Sequence, residues 1–260
     1  MKRFDKLHAI VLGLMVLSAV LAACAPAASG EVTVFAASSL TDAFTEIGAA
    51  FEAQHAGSQV LFNFGGSSQL ATQLAEGAPA DVFASANQAQ MANAAAAGRI
   101  SGEPVLFLTN RLVIVVPADN PAGIQTPADL AKANLRLVLA APDVPIREYS
   151  DQAITALGDA AYQQAVYANL VSEEPNVRQV ATKVALGEAD AGIIYTSDVT
   201  PDIAGQVLQI EIPVEANVIA VYPIAAVEGG QPALAQQFID FVLSPDGQAI
   251  LAKWGFGPRP

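Results

Sequence analysis

The sequence predicts an α/β fold in two lobes, and three observations lead there. From Glu31 onward, short β-rich runs alternate with amphipathic helical patterns. This is the βαβα order that gives a mainly parallel sheet with helices on both faces. Two long apolar strands, 111–116 and 218–224, then read as crossings between lobes. A pair of helices follows the second, which returns the chain to where it began. The expected division is 31–110 plus 225–260 as lobe one and 111–224 as lobe two.

Each element has its own warrant. A strand at 32–36 leads into a helix at 39–54, where Leu40, Phe44, Ile47 and Phe51 recur every three or four residues. A strand at 59–63 leads into a helix at 67–76 that Gly77 closes. A short buried strand ends at Ala84, and a helix covers 87–97 before Gly98. In the second half, 111–117 is a long apolar strand. Thr126-Pro127 opens a short helix, with proline at the first helical position. A strand at 135–140, a helix from Pro145 to Leu157, helices at 159–168 and 177–187, and strands at 191–195 and 207–211 follow. Helices at 231–243 and 245–253 end the chain.

The first residues read as a processing signal. Lys2, Arg3 and Lys6 precede an apolar stretch over 9–23, short for a bilayer span and right for a signal-peptide core. The run Leu21-Ala-Ala-Cys24 resembles the lipobox of bacterial lipoproteins. That likeness implies a signal peptide at 1–23, a lipidated Cys24 as the anchor to the membrane outside the cytoplasm, and a tether at 24–30. Removal of 1–23 leaves nine basic and 24 acidic residues, a net charge of −15. Such a surface repels nucleic acid and anionic lipid. An anion site here must therefore work through local dipoles. One cysteine allows no disulfide framework.

Two serine pairs carry the best chemical signal. Ser38-Ser39 and Ser67-Ser68 each stand where a strand runs through small residues into a helix. Helix N-termini leave N–H groups unpaired and carry about half a positive charge, so two facing ends could hold a small anion without a basic side chain. The plain alternative makes Ser38 and Ser67 ordinary N-caps. Further strand–helix junctions lie at Val144-Pro145-Ile146 and Asn176-Val177, and Tyr195 ends a strand. Ligands in open α/β sheets settle at such places.

Catalytic readings find little. His8 leaves with the signal and His55 lies at the polar end of a helix, so no Ser-His-Asp set forms. There is no GxSxG elbow, the Gly65-Gly66-Ser67-Ser68 turn lacks the P-loop lysine, and zinc spacings are absent. No cofactor and no enzyme activity are expected.

Phe35-Ala-Ala-Ser-Ser-Leu-Thr-Asp-Ala-Phe44, Gly65-Gly-Ser-Ser-Gln-Leu70 and Glu76-Gly-Ala-Pro-Ala-Asp-Val-Phe-Ala-Ser-Ala86 resemble the periplasmic molybdate-binding proteins of ABC transporters. Val144-Pro-Ile-Arg-Glu-Tyr149, Asn176-Val-Arg178, Gly192-Ile-Ile-Tyr-Thr-Ser-Asp198 and Tyr222-Pro-Ile-Ala225 continue the likeness, which spans 31–257. It implies a type II two-lobe periplasmic binding fold with two crossing strands and an interlobe cleft. The implied ligand is molybdate, and tungstate with it, and the implied partners are an ABC permease and its ATPase. Carried over by motif, the ligand groups are Ser39 and Ser67 (hydroxyl and amide), the amides of Ile146 and Val177, and the phenol of Tyr195. Ser38 and Ser68 are neighbours of that set.

The chain departs from the family at Arg147-Glu148, read as an exposed pair on the first helical turn. The alternative sets Arg147 at the cleft rim, in reach of the ligand. Asp42 and Asp81 read as cap or turn acids, and Trp254 as packing. A monomer is expected. The rival readings are a binder of sulfate or another oxyanion, and a sensory lipoprotein outside transport.

Overall fold

The computed structural model describes residues 30–260; the signal peptide, Cys24 and nearly all of the tether lie outside them. Two five-stranded mixed sheets organise the chain. The first takes β1 (Gly30–Ala37), β2 (Ser58–Gly65), β3 (Val82–Ala84), β4 (Ile100–Asn110) and β10 (Ala220–Val227), in the order β2-β1-β3-β10-β4. The second takes β5 (Leu112–Pro117), β6 (Leu137–Ala140), β7 (Leu170–Glu174), β8 (Ala191–Tyr195) and β9 (Val207–Glu211), in the order β7-β6-β8-β5-β9. Parallel pairs β1–β2, β1–β3, β6–β7 and β6–β8 form the half of each sheet whose strand ends feed helices.

The helices are α1 (Thr41–Gln54), α2 (Ser67–Ala75), α3 (Gln88–Ala96), α4 (Pro145–Leu157), α5 (Ala160–Ala168), α6 (Val177–Ala185), α7 (Pro232–Leu243) and α8 (Pro245–Lys253). Of these, α1, α2, α3 and α7 cover the two faces of the first sheet, and α4 and α6 pack on the second. On one face Phe44 of α1 meets Phe107 of β4 and Phe238 of α7, with ring centroids 5.9 and 6.0 Å apart. On the other, Leu70 and Leu74 of α2 and Met91 of α3 pack with Phe35 and Phe83. Burying such side chains contributes about 1.5–3 kcal/mol each, which holds the helix starts in place at the strand ends.

The two crossings differ from expectation. Strand 111–116 does not cross: the chain passes between sheets at Arg111, between β4 and β5. β10 lies wholly in the first sheet, so the return runs through 212–219 and the expected boundary at 225 moves back to 220. Apolar strands are apolar because both of their faces are covered, and that says nothing about which sheet they join. Two strands had no counterpart in the sequence reading. β4 contains Gly102 and Pro104, which punctuate it, and as an edge strand it tolerates the missing N–H. β7 reads Leu-Val-Ser-Glu-Glu and also sits at an edge, where it needs no apolar outer face.

Candidate functional site

The two lobes meet around a small, narrow cleft. Lobe one lines it with Ala37, Ser38, Ser39, the turn 65–67 and Ala86; lobe two lines it with the turn 144–146, Val177 and Tyr195. All five residues first named for the site therefore converge on it, and Ser38 joins them. None of the described lining residues is charged. Ser39 and Ser67 are 2% and 1% exposed.

The helix ends are built to leave donors at this cleft. Neither serine serves as an N-cap. Ala37 precedes the tight turn Ser38–Leu40, and Gly66 precedes α2; neither has a side chain that bonds the helix end. At α4 the capping position is Val144, again without a side-chain bond, and Pro145 removes one N–H, so Ile146 holds the first free amide. At α6 the Asn176 side chain accepts from Gln179, which leaves the Val177 amide uncapped. Three α-helix starts and one turn thus aim unsatisfied N–H groups at one space.

The hydroxyls are preset as donors. Ser67 Oγ accepts the Ala86 N–H at 3.0 Å, so its own proton is left for the cleft. Ser39 Oγ lies 3.0 Å from the Tyr222 hydroxyl, and Asn110 Nδ2 lies 3.5 Å behind that hydroxyl. The Asn110 amide is oriented because its Oδ1 accepts the Arg111 N–H at 2.9 Å. Either hydroxyl can donate in the Ser39–Tyr222 contact; with Asn110 donating to Tyr222, the phenolic proton can go to Ser39 Oγ, which then has its own proton for the cleft. Tyr195 is 1% exposed and its hydroxyl has no aligned partner among the described residues. Burial first, then the neighbouring phenols of Tyr222 and Tyr149, push Tyr195 well above its ordinary value, so it stays a protonated donor. Burial pushes Tyr222 up as well.

Ser68 and Arg147 do not join the cleft. Ser68 lines a separate surface hollow with Gln69, Thr72 and Asn176, and its carbonyl accepts from Thr72. Being one residue further along α2, it is rotated by about 100° from Ser67. Arg147 is neither an exposed residue nor a rim residue. Its guanidinium donates to Asp151, to Glu173 of β7 and to the Ala140 carbonyl, and stacks over Tyr167, behind α4. Glu148 reaches the other way, accepting from Asn87 of lobe one at 3.0 Å. Sequence reasoning missed Tyr222 and Asn110; the Tyr222-Pro-Ile-Ala block was the available signal.

The lobes are closed on each other. Besides Asn87–Glu148, Gln90 Nε2 donates to the Asp143 carbonyl at 2.9 Å, and Arg178 of α6 pairs with Asp42 of α1 at 2.7 Å. A Cβ on Gly66 would stand 2.4 Å from the Pro175 carbonyl oxygen of the other lobe. Among the described residues no cluster of His, Cys, Asp or Glu could hold a metal ion, and no helix is long and apolar enough to cross a membrane.

Comparison with known proteins gives the frame. The model of the family "Bacterial extracellular solute-binding protein" matches residues 32–257. The chain is 44% identical over 227 residues to the molybdate-binding protein ModA of Mycobacterium tuberculosis, covering 87% of this chain and 84% of that one. Among solved structures it superposes on the periplasmic molybdate-binding protein of Azotobacter vinelandii with TM-score 0.77 at 21% identity, covering 88% and 100% of the chains. On the sulfate-binding protein SubI of M. tuberculosis the TM-score is 0.79 at 21% identity, covering 88% and 86%. The fold is that of the type II periplasmic binding proteins, and the chain belongs to the bacterial extracellular solute-binding protein family as a ModA-type member.

Proposed function

We propose that this protein captures molybdate, and tungstate with it, outside the cytoplasmic membrane and hands it to an ABC importer. The proposed ligand groups are the hydroxyls and amides of Ser39 and Ser67, the amides of Ile146 and Val177, and the phenol of Tyr195. The observation that carries this is the polarity of the cleft: hydroxyls and uncapped helix-start residues line it, and no carboxylate or other charged side chain does. A donor-only site selects a fully deprotonated oxyanion, because a bound O–H would need an acceptor. Hydrogen bonds to a charged partner contribute about 1.5–3 kcal/mol each, so a handful suffices for micromolar binding or tighter. Closure of the lobes completes the donor set, and the closed form is the one the permease would read. Cys24 is proposed as the lipid anchor, and the working form as a monomer.

The test is a thermal-shift panel of the domain with molybdate, tungstate, sulfate, phosphate and nitrate. An anion at a hundred times its Kd adds about 2.7 kcal/mol to stability. Shifts with molybdate and tungstate support the reading. A shift with sulfate and none with these two overturns it.

A further inference from the structure

We infer that Arg178 is a positioning residue that holds the cleft shut and sets how long an anion stays, without touching the anion. Arg178 follows Val177, whose amide faces the cleft, at the start of α6. Its guanidinium turns away from the cavity. Nε pairs with Asp198 of its own lobe at 2.7 Å, and Nη2 pairs with Asp42 of lobe one at 2.7 Å. Nη2 also lies 3.5 Å from the Ser39 carbonyl. One side chain thus ties the helix start that carries Val177 to the segment that carries Ser39, the two opposed walls of the site.

The charges suit a clasp better than an anion ligand. Two carboxylates saturate the one guanidinium, so the trio is net negative and draws no dianion by itself. Asp198 is fully buried, a place it holds only with a cation beside it. Its pairing lies within lobe two and survives opening; the Asp42 arm crosses the cleft and exists only when it is closed. An interaction made only in the closed state adds to the residence time of whatever the closed state encloses, and leaves the encounter with the open state alone.

This rests on the reading of the cleft as the oxyanion site, and the experiment separates the two. Molybdate binding is followed by calorimetry and stopped-flow fluorescence for the wild type, Asp42→Asn, Arg178→Lys and the double variant. Asp42→Asn keeps the buried Asp198–Arg178 pair, so it folds even where changes at Arg178 do not. Its dissociation rate is expected to rise about tenfold with the association rate within about twofold, the pattern of a lost interlobe contact. The melting temperature of the anion-free protein is expected to stay put, which a merely structural role would not allow. Arg178→Lys, unable to fork to both acids, is expected to lose as much, and the double variant no more than either. Asp42→Asn with wild-type dissociation, or additive losses in the double variant, overturns the clasp. A wild type that binds neither molybdate nor tungstate overturns the functional reading, and the clasp with it.

Discussion

Gly66→Ala separates closure from ligand chemistry, because Gly66 supplies no side chain to the site yet sits where the lobes come nearest. An added Cβ would lie 2.4 Å from the Pro175 carbonyl oxygen, whereas ordinary contact begins near 3.4 Å. The lobes must therefore part by about 1 Å at that point, or the backbone must give. A hydrogen bond of 2.9 Å stretched by that much is no longer one. If local shifts absorb the strain, overpacking costs about 1–3 kcal/mol. That converts to a loss of about 5- to 150-fold in affinity. If they do not, the donors of Ile146, Val177 and Tyr195 are lost from one side and the deficit is larger. The anion-free protein should behave oppositely. Gly66 has φ −62° and ψ 134°, which alanine adopts freely. Fewer unfolded conformations should then raise its stability by about 0.4–1 kcal/mol. Isothermal calorimetry and a melting curve of the anion-free protein read the two signs. Wild-type affinity would refute the closed-lobe geometry, and a destabilised anion-free protein would refute the claim that only closure is obstructed.

Tyr222→Phe removes the group that orients Ser39 while Asn110 keeps its bond to Ser197. Affinity should fall about tenfold with the fold intact, and adding Ser39→Ala should cost little more, as a calorimetric double-mutant cycle would show. Arg147→Gln should lower stability by about 1 kcal/mol, since it breaks the ties to Asp151 and Glu173, and leave the Kd within twofold; a tenfold weaker Kd would put Arg147 back at the ligand. Burial pushes the Asp198 carboxyl up to about 6 against the pull of Arg178, above its unfolded value near 3.9. Its contribution to stability is therefore full below pH 4 and lost as the pH rises through 6. In urea unfolding from pH 4 to 7, wild-type stability relative to Asp198→Asn should fall across that window, and a flat difference would contradict the assignment. The chain carries a net −13, so added salt should speed association of the dianion by screening repulsion; slower association would mean that a cationic side chain steers it.

What was legible in the sequence was whatever a short stretch dictates. The strand, small residues, hydroxyl and helix around Ser39 and Ser67 follow from local preference, and their lining of one cleft follows from strand ends in a parallel sheet. What was not legible depends on partners far along the chain. Tyr222 and Asn110 lie 183 and 71 positions beyond Ser39, and only the antiparallel pairing of β10 with β4 brings them together behind it. Arg147 shows the same limit in reverse: beside a predicted ligand amide it reads as a candidate, but the acids that claim it, Asp151 and Glu173, are set by α4 and β7, and β7 gave no sequence signal.

The consequence reaches the chemistry of recognition. A serine hydroxyl at a helix start could accept or donate, and sequence alone leaves that choice open. In the folded chain the choice is made from behind, by the Ala86 amide at Ser67 and by Tyr222 with Asn110 at Ser39. The Ser67 hydroxyl is left with its proton for the cleft, and the Ser39 hydroxyl is too when Tyr222 donates to it, alongside amides that can only donate. A protein of strongly negative charge thereby holds a space that no charged side chain lines, with hydroxyls and helix-start amides around it. On the proposed reading, selectivity for a fully deprotonated oxyanion would lie less in the serines than in the residues that sit behind them.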